Sequence, residues 1–108
     1  IKRIPKYRLD AFRLIIMSFP NISAIEMPIL QELAATGGKD DVRFLYLRLE
    51  AYFPQLSEKE ISEIKTGDSK IWRRFVQTAG KHLDEKNYIN RERGIWTITE
   101  KGRKIVET

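Results

Sequence analysis

The sequence predicts a mainly α domain with one small β-hairpin, arranged as a winged helix-turn-helix with an extra apolar segment at its amino end. Three observations predict it: a succession of helix signals up to residue 67, a sharply two-sided helix over about 68–86, and two short strands around a glycine turn followed by a last helix. With 108 residues, 42% of them hydrophobic, the chain holds one domain's worth of core. We divide it into an extension at 1–22, a helix or strand acting as a packing or oligomerisation arm, and a winged-helix unit at 23–108.

Pro5 and Pro20 bracket the first apolar segment, 8–18, where Leu9, Phe12, Ile16 and Phe19 recur at helical spacing. Its β-branched content leaves a strand open as well. After the turn at Pro20-Asn21 a helix is expected over 25–35, with Pro28 in its first turn, Met27, Leu30, Leu33 and Ala34 as its stripe, and Gly37-Gly38 ending it. Asp40-Asp41 cap the next helix, which runs to Phe53 and stops at Pro54. That helix has two apolar faces: Val42, Leu45, Tyr46, Leu49 and Phe53 on one side, and Phe44, Leu47 and Ala51 on the other. Cover for the second face is expected from residues 8–19, of the same chain or of a partner in a homodimer.

Ser57 and Glu60 form a capping box for a short helix ending at Gly67. The long helix begins near Asp68 or Ser69 and runs to about Lys86. On a helical wheel Val76, Ala79 and Leu83 fall within about 40° of Trp72, which makes these four the buried stripe. The opposite arc holds Lys70, Arg73, Arg74, Gln77 and Lys81, with no acidic residue until Asp84 and Glu85. Guanidinium matches the acceptor edge of guanine, a carboxamide matches adenine, and ammonium neutralises phosphate. Arg73 and Gln77 are therefore assigned as base readers, and Lys70, Arg74 and Lys81 as phosphate contacts.

Tyr88–Asn90 and Ile95–Thr99 read as two strands joined by Arg91-Glu92-Arg93-Gly94, with Gly94 supplying the positive φ that closes a hairpin. Trp96 and Ile98 take the core-facing phase. Arg91 and Arg93 are placed in the wing, within reach of phosphates or a narrow minor groove. Thr99 caps a last helix through Val106.

Charge is segregated along the chain. Residues 1–13 carry five basic groups against one acidic, 14–67 five against eight, and 68–108 ten against six. Basic ends around an acidic middle are the footprint of a polyanion binder. The composition also excludes chemistry. There is no cysteine, which removes disulfides, thiol catalysis and cysteine-based zinc sites. His82 has no second histidine to share a metal, so it is read as a packed or half-exposed side chain. Glu63-Ile64-Lys65 matches half of a nuclease metal motif, but it sits in a capped helix without a companion acid. No catalytic set, metal site or cofactor is expected, and no apolar run is long enough to span a bilayer. A cytoplasmic, prokaryotic and nucleoid-associated setting is expected. Residue 1 is Ile, so further domains are expected in the full-length protein.

Four stretches resemble a known family. "EMPILQELAATGG" at 26–38, the helix with Trp72, Val76, Ala79 and Leu83, "LDEKNYIN" at 83–90 and "RGIWTITEKGR" at 93–103 together resemble the amino-terminal winged-helix domain of Mrr-type restriction endonucleases. The last block is the most specific, and the resemblance spans roughly 25–107, more weakly at 39–67. It implies a DNA-binding module joined to a separate nuclease domain that cleaves modified DNA. DNA contact is then implied for the helix with Lys70, Arg73, Arg74, Gln77 and Lys81 and for the wing at Arg91 and Arg93. Residues 1–22 depart from the pattern, and the nuclease part has no counterpart here, so catalysis is not carried over.

The expected function is thus a non-catalytic module for double-stranded DNA, serving as the targeting part of a modification-dependent restriction system or as a small prokaryotic regulator. The rival is a winged helix used for protein interaction or oligomerisation without DNA contact.

Overall fold

In a computed structural model of the chain, residues 19–108 are described. The expectations for 8–18 lie outside them. The fold is mainly helical with a small three-stranded antiparallel sheet, in the element order of a winged helix-turn-helix.

Helix α1 (Ile22–Ala35) starts at Asn21, whose extended backbone makes it the N-cap. Ile25, Ile29, Leu30 and Leu33 form its buried stripe. Two expectations are corrected here. The helix begins three residues earlier than its pattern suggests, so Pro28 lies inside it, where no N–H is available for the carbonyl four residues back. Met27 stands about 200° round the helix from Ile25, and it is 41% exposed rather than buried.

Next comes a strand that the sequence reading does not contain, β1 (Lys39–Asp41). It runs antiparallel to β3 (Ile95–Ile98), with Lys39 opposite Thr97 and Asp41 opposite Ile95. Asp41 still serves as the expected cap of α2 (Val42–Leu49), accepting from the Arg43 amide at 2.9 Å. That helix is shorter than expected. It tightens at Glu50–Tyr52 into a 3₁₀ turn, and Phe53 follows outside the helix yet buried. Its inner face, Val42, Leu45 and Leu49, is buried. On its other face Phe44 is 51% exposed, Leu47 39%, and Ala51 is exposed, and the expected cover from residues 8–18 lies outside the described residues.

Glu32 ties these first elements together. It accepts from Arg48 Nε at 2.8 Å and from the Tyr52 hydroxyl at 2.7 Å, while Arg48 also pairs with Asp40. Burial, reinforced by the hydrogen bond to Glu32, pushes the Tyr52 phenol up to about 12.

Helix α3 (Glu58–Thr66) has the full capping box of Ser57 and Glu60 and ends at Gly67. Helix α4 (Lys70–Glu85) begins at Ser69, whose hydroxyl accepts from the Trp72 amide, and ends where Asn87 takes a φ of 65°. The hairpin follows as β2 (Ile89–Glu92) and β3. Helix α5 (Glu100–Glu107) is capped by Thr99 as expected. The sheet order is β1-β3-β2, so β3 is central. The predicted structural residues Trp72, Val76, Ala79, Leu83, Trp96 and Ile98 are all in the core.

Candidate nucleic-acid interface

Helix α4 is held from inside at its amino end. Trp72 is fully buried, stacked on Phe19 at 6.1 Å and met edge-on by Phe53 at 5.9 Å. Its indole N–H donates to the Tyr46 carbonyl at 2.8 Å, which fixes the rotation of α4 against α2. With that face inward, 3.6 residues per turn leaves Lys70, Arg73, Arg74 and Lys81 on the solvent side, and all four are exposed. None of them has an ion-pair partner among the described residues. Some cations on other elements are engaged, Arg43 with Asp41, Arg48 with Glu32 and Asp40, and Lys86 with Glu26. The solvent arc of α4 is therefore a concentrated field of positive charge facing water.

Gln77 lies within that arc by angle but differs from the four cations in its surroundings. It is half-buried, and its Nε2 donates to the Tyr46 hydroxyl at 2.6 Å. Its amide is already oriented within the domain, a relation that a helical wheel does not reveal because Tyr46 lies on another helix.

The wing is tighter than its sequence suggests. β2 continues through Glu92, so the turn is the two residues Arg93 and Gly94, with φ of 54° and 81°. Positive φ at both positions is the type I′ pattern, whose twist matches that of the flanking strands. Gly94 thus does what was expected of it, and Arg93 is exposed at the tip. Arg91 is not in the turn. It lies in β2 opposite Trp96, and its Nε reaches Asp84 of α4 at 3.0 Å while its guanidinium sits over the Trp96 ring at 5.9 Å. The wing is joined to α4 through this contact and through Gly80, which is buried beneath Trp96.

Other expected features are found in minor roles. His82 is half-exposed beside Glu26, with Nδ1 at 3.5 Å from its carboxylate. Glu63 and Lys65 lie on the solvent side of α3, and Lys65 is 4.0 Å from Glu50. Among the described residues no group of acids and histidines could hold a metal ion, and no helix is long and apolar enough to cross a membrane.

The candidate interface is thus one surface of α4 and one hairpin tip, both basic and both rigidly supported. No curated protein and no solved structure matches the chain. A family model does, over residues 23–108, and its description is Mrr N-terminal domain.

Proposed function

The chain belongs to the Mrr N-terminal domain family, a domain associated with restriction systems, and from that premise we propose that it is a non-catalytic winged-helix module that binds double-stranded DNA. One observation carries the proposal: Lys70, Arg73, Arg74 and Lys81 share the outer face of a helix pinned by Trp72, without ion-pair partners among the described residues. Exposed cations without ion-pair partners among the described residues, set on a convex helix, suit a groove walled by phosphates, since each phosphate contact releases condensed counterions. Arg93 extends the same field to the neighbouring stretch of duplex. The module serves as the targeting part of a modification-dependent restriction system, with a small prokaryotic regulator as the other setting. It acts in the cytoplasm on the nucleoid.

The wing offers a test that separates folding from binding. Asn-Gly is the preferred type I′ pair, so Arg93→Asn keeps the turn and removes the cation. Thermal unfolding should be unchanged or slightly higher in midpoint. Titration of a fluorescent duplex across salt concentrations should show weaker binding, with the slope of log K against log salt shallower by about 0.9. Matched methylated and unmethylated duplexes in the same series report on modification sensing. An unaltered slope removes the wing from the interface.

The exposed Phe44 and Leu47 favour a second reading, a homodimer through that face of α2, with Ala51 also engaged. Sedimentation distinguishes it: a dimer dispersed by Phe44→Ser, without salt-sensitive duplex binding, would make the domain an interaction module.

A further inference from the structure

Arg91 has two neighbours that hold it in one place, and only one of them is charged. The Trp96 ring lies beneath its guanidinium, and that ring is buried and packed closely against Gly80. The Asp84 carboxylate lies at its edge, 3.0 Å from Nε. Both ends of the ion pair remain open to water: the side chains of Arg91 and Asp84 are 28% and 37% exposed. Asp84 stands one turn beyond Lys81 on the same outer arc, so the pair borders the basic field rather than the core. A carboxylate and a phosphate offer the same paired oxygens to a guanidinium.

We propose that Asp84 is an internal competitor of DNA phosphate for Arg91. In the unbound domain the carboxylate occupies the guanidinium edge that a duplex phosphate takes on docking, while Trp96 keeps the guanidinium in position for the exchange. Asp84 thereby lowers affinity for a duplex whose phosphate reaches the wing root, because the ion pair must open on docking, and leaves unaffected a duplex that does not engage Arg91. This inference rests on the DNA-binding reading.

The test is a double-mutant cycle on the full chain with a short fluorescent duplex, titrated across salt. Asp84→Asn should bind about two- to five-fold tighter than wild type, the scale of one solvent-exposed ion pair. Glu85→Gln, which removes the same charge one residue away, controls for general repulsion and should give a smaller gain. Arg91→Gln should make the salt slope shallower by about 0.9, since in the wild-type complex Arg91 has left Asp84 for a phosphate. In the Arg91→Gln background, Asp84→Asn should gain no more than Glu85→Gln does.

A gain from Asp84→Asn that persists in full without Arg91, no gain at all, or a slope indifferent to Arg91→Gln overturns the exchange while leaving DNA binding by α4 intact. Absence of salt-sensitive binding by wild type overturns the DNA-binding reading itself, and the inference with it. Thermal unfolding of each variant keeps a loss of fold from being read as a loss of contact.

Discussion

Gly80→Ala is expected to destabilise the domain by about 1–3 kcal/mol, the usual cost of forcing volume into a filled interior. Helix propensity alone argues the reverse, since alanine inside a helix is favoured over glycine by about 1 kcal/mol. Packing decides the sign. A β-carbon built at position 80 would lie 2.2, 2.6 and 2.9 Å from three atoms of the Trp96 ring. That ring is 2% exposed, and the Arg91 guanidinium lies over it at 5.9 Å. Backing away would lift β3 from α4 and disturb the wing root. Urea unfolding checks the prediction, and Trp96→Phe refines it: with a smaller ring, Gly80→Ala should cost clearly less than in wild type. A more stable Gly80→Ala protein would mean that the wing does not pack on α4 as described.

Replacing Lys70, Arg73, Arg74 and Lys81 together by glutamine should abolish tight duplex binding while leaving the fold intact. At about 0.9 per phosphate, loss of the three phosphate contacts of Lys70, Arg74 and Lys81 lowers the salt slope by roughly 2.7, and the fourfold change lowers affinity at low salt by about two orders of magnitude or more. Stability should stay within about 0.5 kcal/mol of wild type for each site, because these side chains are exposed and carry no ion pair among the described residues. Single variants sort the arc further. Loss of a phosphate contact weakens all duplexes alike, whereas loss of a base contact weakens one sequence more than another, and Arg73 is the position expected to do the latter. Binding unchanged in the fourfold variant would exclude α4 as the docking helix.

The helices were legible in the sequence because their ends carry their own chemistry. Ser57 with Glu60, Ser69, Thr99 and Asp41 each make the side-chain cap that their spacing implies. The buried stripe of α4 was equally legible, since Trp72, Val76, Ala79 and Leu83 repeat at the helical period. β1 was not. Lys-Asp-Asp has none of the residues that favour strands, and it is extended only because Ile95, Trp96 and Thr97 pair with it from far along the chain. The end of β2 was hidden for a related reason: whether Arg91 and Glu92 belong to strand or turn depends on Arg93 accepting a positive φ, which arginine rarely does.

The candidate site divides along the same line. The charged arc follows from helical spacing alone, so Lys70, Arg73, Arg74 and Lys81 could be grouped in advance. Partners on other elements could not. Neither the hydroxyl of Tyr46 against Gln77 nor the carboxylate of Asp84 against Arg91 has a signal in local sequence. Both relations change what the side chain can offer to a ligand.

The central position of β3 bears on the order in which the molecule can be made. β1 is translated early, yet its only partner among the described residues emerges more than fifty residues later, after α4 and β2. A nascent chain leaving the ribosome therefore carries Lys39–Asp41 without its β3 partner until Thr97 is clear of the exit tunnel. Lysine and aspartate suit that wait, because charged side chains discourage a bare edge from pairing with neighbouring chains. The residues that made β1 hard to foresee are the ones that let it remain single during synthesis.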